Sequence, residues 1–193
     1  MRKLIIGITG ASGACYGIRA LQMLREIEDV QTHLVISPSG MRTALEEGTG
    51  LSGEDIRALA DVCHHHKDIG ASIASGSFRA DGMLVAPCSI KTLSGIAHCY
   101  ADDLMTRAAD VCLKERRRVV LMVRETPLHA GHITLMDQAT RSGAIIMPPV
   151  PGFYTQPKTI EDLVTQTVGR ALDLFDIDHP SVRRWKKECA TEA

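Results

Sequence analysis

Residues 7–17, GITGASGACYG, place glycines at 7, 10, 13 and 17 directly behind an apolar run. A turn of this kind at a helix start presents backbone N–H groups that suit an anion, with Ser12 among them, and the small residues at 10–14 let a flat ring approach the backbone. The spacing matches neither G-x-G-x-x-G nor the Gly-Lys-Ser/Thr ending of a Walker loop, so the turn either holds a phosphate in another way or needs glycine for its geometry alone. Three more polar groups follow apolar runs: Ser37 after THLVI, PCSIKT after GMLVA, and RET after RVVLMV. Arg107, Lys114, Arg124 and Arg170 are scattered among apolar neighbours, the pattern of snorkelling surface cations. Arg124 differs because it ends an apolar run and precedes Glu125, which turns it toward a crevice.

Other reactive types read more plainly. Three consecutive histidines, 64–66, cannot all face one ion, and no Cys or Asp spacing accompanies them, so they are not read as a metal site. Cys88 has no base nearby in sequence and reads as a small residue packed in a turn. His129 and His132 fit acid–base groups or crevice wall equally well. The RRR run at 116–118 reads as a helix end complementing the macrodipole.

The elements that must position these groups alternate along the chain. Residues 3–9 form a continuous apolar run, as in a parallel strand covered on both faces, and 14–27 carry Ile18, Leu21, Leu24 and Ile27 at helical spacing. THLVIS then predicts a strand, 41–47 a helix, and 54–63 a second helix behind the cap-like Ser52. GMLVAP, RVVLMV and AIIM predict further strands, with helices from Ser89, through LMTRAADVCLKE, over 132–141 and over 159–175. Four or five buried strands separated by helices predict an α/β, Rossmann-like (flavodoxin-like), doubly wound parallel sheet in three α/β/α layers, with ligands at the carboxyl ends of the strands. PPVPGFYTQP, with four prolines and a glycine, reads as a shaped loop.

Bulk properties exclude several classes. The 193 residues suit a single domain, and a net charge of −1 offers no field for nucleic acid or an anionic membrane. Six cysteines at irregular spacing, Cys15, Cys63, Cys88, Cys99, Cys112 and Cys189, read as reduced thiols in a cytoplasmic protein. No stretch approaches the ~18 apolar residues of a membrane span.

Taken together, GITGASGACYG, THLVIS, SGSF, PCSIKTLSGIA, RAADVCLKERR, VRETPL, PPVPGFYTQP and RRW, in this order from Lys3 to Trp185, resemble the flavin prenyltransferases of the UbiX/Pad1 family. The resemblance implies joining of a dimethylallyl group from dimethylallyl monophosphate to N5 and C6 of reduced FMN, without a metal. The product, prenylated FMN, would pass to a UbiD-type decarboxylase. It also implies a homododecamer, with the tail from about 176 closing the site or packing on a neighbouring subunit. By position, FMN would be held by Gly10, Ala11, Ser12, Ser37, Ser89, Ile90, Lys91, Thr92, Arg107 and Arg124. The prenyl phosphate would meet Lys114, Arg124, Tyr154 and Arg170, with Glu125 beside it, Glu47 associated with the chemistry and Trp185 closing the site. Where many relatives carry H-L-E-N, this chain has His132-Ile133-Thr134-Leu135, so Thr134 and Leu135 receive no role, and DIGASIA lacks the aromatic that some relatives place before SGS. A flavin-dependent decarboxylase of an aromatic or cysteine-type acid, and a flavin-binding subunit without chemistry of its own, are the alternative readings.

Overall fold

The computed structural model describes residues 1–185, so Cys189 lies outside the described residues. The elements run β1 (Arg2–Ile8), α1 (Ala14–Leu24), β2 (Val30–Ile36), α2 (Pro38–Glu46), α3 (Gly53–Ala58), β3 (Val62–His64), β4 (Gly82–Cys88), α4 (Ile90–Ala97), α5 (Leu104–Lys114), β5 (Arg118–Val123), α6 (Ala130–Arg141), β6 (Ala144–Ile146) and α7 (Ile160–Asp173). Short 3-10 turns lie at Ser72–Ala74 and Phe153–Thr155. All strand pairings are parallel, in the order β3-β2-β1-β4-β5-β6. The strand order therefore reverses between β1 and β4, where a doubly wound sheet opens its crevice.

Side chains alternate between the two faces of the sheet as the pleat requires. Leu4, Ile6 and Ile8 of β1, Leu84 and Ala86 of β4 and Val120 and Met122 of β5 pack with α1, α2, α3 and α7 on one face. Ile5, Met83, Val85, Val119, Leu121 and Val123 pack with α4, α5 and α6 on the other. Burial on both sides explains why these strands read as continuous apolar runs rather than as alternating ones.

The boundaries depart from the sequence reading where short-range polar chemistry intervenes. Helix α2 starts at Pro38, ahead of the expected 41, because Ser37 accepts from the Gly40 N–H and proline fits the first helical turn. The helix expected over 54–63 ends at Ala58, and residues 62–64 instead form β3, an edge strand that adds a sixth member to the sheet. Its three residues are half-exposed, so no apolar run marks it. Arg116 adopts φ 57° beyond α5, while Arg2 and Arg118 donate to the carbonyls of Leu174, Phe175 and Asp176. The arginine run thus complements the end of α7, not only the helix that precedes it.

The first histidine of the triple, His64, lies against buried His33, with Nε2 of His64 3.0 Å from Nδ1 of His33 and the rings stacked. Among the described residues, no group of three or more His, Cys, Asp and Glu is placed to hold a metal ion. Burial first, then the neighbouring His64 and Lys3, push the His33 imidazole down to about 4. The unfolded chain protonates this histidine near its ordinary value of about 6.5, so between about pH 6.5 and 4 the unfolded state binds more protons than the folded state. Stability is therefore full above this window and falls as the pH drops through it. Urea midpoints should decrease from pH 7 to pH 5, and the decrease should be shallower in His33→Leu.

Candidate functional site

The carboxyl ends of β1 and β4 are joined by one hydroxyl. Thr9 Oγ1 donates to the Pro87 carbonyl at 2.7 Å and accepts the Ser89 N–H at 2.8 Å, which locks the loop after β1 to the start of α4. Ser89 caps α4 by accepting from the Thr92 N–H, Ser37 caps α2, and Asp103 caps α5 through a reciprocal box with Thr106. The N-termini of α2, α4 and α5, with Gly10 of the loop before α1, surround a cleft of about 670 Å³, and the helix dipoles and free amides there favour an anion.

Gly10, Ser37, Ser89, Lys91 and Thr92 line this cleft, as the sequence predicts. Ala11 and Ser12 lie in the bend after Gly10, and Ile90 is the first residue of α4. Gly13 holds φ 99°, a left-handed conformation that glycine adopts without strain, and this conformation starts α1. The amides of Gly13 and Ala14 are already engaged: they donate to Oε1 and Oε2 of Glu47 at 2.8 and 2.9 Å. The anion at this helix start is therefore a side chain of the protein itself, and the donors left for a ligand are those of Gly10, Ala11 and Ser12, which make no hydrogen bond among the described residues. Glu47 ties the end of α2 to the start of α1 and acts here as a positioning group.

Sequence reasoning missed several groups in the cleft: Arg42, His66, Lys67, Asp102 and Met105. Arg42 lies one turn into α2, and His66 and Lys67 follow β3, so they were invisible once β3 was read as helix. Burial first, then His65 and Lys67, hold the His66 imidazole below its usual range, keeping it neutral at pH 7. Arg42, Lys67 and Lys91 have no ion-pair partner among the described residues, which leaves the cleft positive despite Asp102 and the capping Asp103.

The other predicted residues sit elsewhere. Arg107 on α5 donates to the Ala74 carbonyl and pairs with Asp110 at 2.9 Å. Arg124, exposed after β5, donates its N–H to the Cys88 carbonyl, and Glu125 folds one oxygen onto the Thr126 N–H. Lys114 pairs with Glu115 beside Gly76, and Arg170 pairs with Asp173. The expected convergence of Lys114, Arg124 and Arg170 does not occur within one chain. α5 and α7 run antiparallel to the strands, so their last turns lie at the amino edge of the sheet, about 20 Å from Arg124 across the length of β5. Tyr154 meets Trp185 edge to face, with ring centroids 5.4 Å apart.

The tail from residue 177 packs along α7 of its own chain, burying Ile177, His179 and Val182. Cys88 is fully buried, and burial pushes its thiol well above the ordinary range, so it is a packed residue and not a nucleophile. Cys112 is likewise pushed up, to about 11. His129 caps α6 by accepting from the Gly131 N–H, and its ring lies against that of His132, tilted by 35° with centroids 3.7 Å apart.

A doubly wound sheet of order 3-2-1-4-5-6 with an anion-binding cleft at its switch point defines a Rossmann-like nucleotide-binding protein. The Flavoprotein family model matches residues 1–172. Flavin prenyltransferase UbiX of Salmonella typhimurium is 57% identical over 188 residues, covering 96% of this chain and 99% of that protein, and that of Thauera aromatica is 54% identical over 183 residues, covering 95% and 93%. The crystal structure of AnUbiX (PadA1) in complex with FMN and dimethylallyl pyrophosphate superposes with a TM-score of 0.93 at 50% identity, covering 95% of this chain and 97% of that one. A dodecameric FMN-dependent UbiX-like decarboxylase from Escherichia coli O157:H7 gives 0.92 at 51%, covering 95% and 98%. The chain belongs to the Flavoprotein family and, within it, to the UbiX flavin prenyltransferases.

Glu47→Ala removes both acceptors from the α1 N-terminus and should lower stability by about 1 kcal/mol, read as a lower urea midpoint. Glu47→Gln, which keeps one acceptor oxygen, should recover about half of that loss.

Proposed function

We propose that this chain transfers the dimethylallyl group of dimethylallyl monophosphate to N5 and C6 of reduced FMN. The observation that carries the reading is the positive cleft at the switch point, where Gly10, Ser37, Ser89, Lys91 and Thr92 converge. Reduced FMN, when bound, supplies the nucleophilic ring positions. Gly10, Ala11, Ser12, Ser37, Ser89, Ile90, Lys91 and Thr92 hold and orient it, with Arg124 at the rim and Arg107 bracing α5. Unpartnered amides, capped helix starts and small residues fit an anionic ligand that carries a flat ring.

Breaking an allylic C–O bond leaves charge on the departing phosphate, so cations around it stabilise the transition state more than the ground state. Arg124 stands at the cleft's rim, whereas Lys114 and Arg170 reach a phosphate only from other copies of the chain. A homododecamer such as the E. coli relative supplies such copies. Exposed apolar residues support subunit contacts, Ile160 at 80% and Val150 at 76% exposure among them. Tyr154 and Trp185 shield the allylic cation with their ring faces. Glu125 keeps one carboxylate oxygen unbonded among the described residues and is the better candidate than Glu47 for taking the last flavin proton, in competition with the released phosphate. Prenylated FMN then serves a UbiD-type decarboxylase. The reduced thiols fit a cytoplasmic protein, and no helix among the described residues is long and apolar enough to cross a membrane.

A decarboxylase of its own would follow the name carried by the E. coli O157:H7 relative, but the buried, unionised Cys88 supplies no acid or base at the rim. A mass spectrum of the flavin after incubation with reduced FMN and dimethylallyl monophosphate should gain one C5H8 unit, and unchanged flavin would reject the transferase reading. Lys114→Ala and Arg170→Ala should each lower kcat/KM for the prenyl phosphate by about tenfold to a hundredfold while FMN affinity stays within about twofold. Equal loss of both would overturn the division of the site.

A further inference from the structure

Residues 164–169 of α7 are buried without a break, which an amphipathic surface helix does not do. The outer side of the helix is covered by the chain's own tail. Val182 seats on Gly169, where any Cβ would lie 2.1 Å from Val182 Cγ2, so the tail depends on that glycine to approach. One turn before Gly169 along the helix, Gln166 is only 7% exposed and its amide pairs with the backbone of Arg183 as a neighbouring strand would. Oε1 accepts the Arg183 N–H at 2.9 Å and Nε2 donates to the Arg183 carbonyl at 3.0 Å. The same Nε2 faces Tyr154 Oη at 3.5 Å, a long contact.

The guanidinium of Arg183 then donates to the Thr155 carbonyl at 2.7 Å, inside the turn that carries Tyr154. Two residues further on, Trp185 meets the Tyr154 ring edge to face. Behind this turn lies a polar cavity of about 200 Å³ lined by Thr155, Gln166 and Arg183, so apolar packing does not buttress the turn from that side. The position of Tyr154 is set by polar contacts that run from α7 through the tail.

We propose that Gln166 and Arg183 are positioning residues for Tyr154 and Trp185, forming a strap that sets the phenol and indole against the prenyl phosphate. This inference rests on the assignment of Tyr154 to that phosphate. The chemistry fits the roles: a buried amide satisfies one backbone N–H and one C=O together, and losing it leaves both unpaired. Arg183 adds a charge-assisted bond to a carbonyl of the turn that a neutral side chain does not replace.

Trp185 is the chain's single tryptophan, so its fluorescence reports the strap without any need for turnover. In the full-length protein, Gln166→Leu and Arg183→Met should shift Trp185 emission to longer wavelength and increase its quenching by acrylamide. They should also raise KM for dimethylallyl monophosphate about tenfold, with FMN affinity within about twofold and kcat less affected. Arg183→Lys, which keeps a cationic donor, should recover most of the KM. Unchanged fluorescence and unchanged KM in a folded Gln166→Leu or Arg183→Met protein would overturn the strap. If the wild type forms no prenylated flavin, the substrate assignment fails by itself, and the fluorescence still decides whether the tail is held as described.

Discussion

A parallel sheet imposes one direction on everything attached to it. Each crossover helix starts near the carboxyl edge of the strands and ends near the amino edge, so amide donors collect on one rim and carbonyl acceptors on the other. The starts of α2, α4 and α5 make the first rim positive before any cationic side chain contributes, while Glu47 already answers the start of α1. Arg2 and Arg118 gather on the opposite rim because the carbonyls ending α7 need donors. Arg42, Lys67 and Lys91 then reinforce the polarity that the backbone has already set.

The same direction explains which parts of the site were legible in the sequence. Gly10, Ser37, Ser89 and Thr92 follow strands that read as apolar runs buried on both faces, so their convergence follows from the order of elements alone. β3 escaped because Val62, Cys63 and His64 form a short, half-exposed edge, and with it went His66 and Lys67. The engagement of Glu47 with Gly13 and Ala14 joins residues more than thirty positions apart, and no periodicity encodes such a bond. Lys114 and Arg170 were identifiable as cations by type, but type alone does not show that each sits in the last turn of its helix, paired with Glu115 and Asp173.

The polar contacts at the cleft divide into those that build it and those left open. The Thr9 hydroxyl and the Ser37, Ser89 and Asp103 caps are satisfied within the protein and hold the loops in register without a ligand. Among the described residues, the amides of residues 10–12 and the side chains of Arg42, Lys67 and Lys91 have no partner and remain available. Such preorganisation reduces the reordering needed on binding, which is where affinity for a multiply charged nucleotide is most easily lost. Cys88, beside these groups but sealed beneath them, contributes volume rather than reactivity.

Arg2, at the start of β1, bonds to the carbonyls of Phe175 and Asp176, 173 and 174 positions away. α1 likewise packs against α7, so the helix beside the central strand finds its main helical partner in an element far along the chain. Contacts of this sequence separation slow folding and leave apolar surface waiting, here the β1–α1 face that α7 eventually covers. Closure of the β1–α1 face thus depends on a long-range contact, and a chain interrupted before α7 would leave that apolar face open to other surfaces.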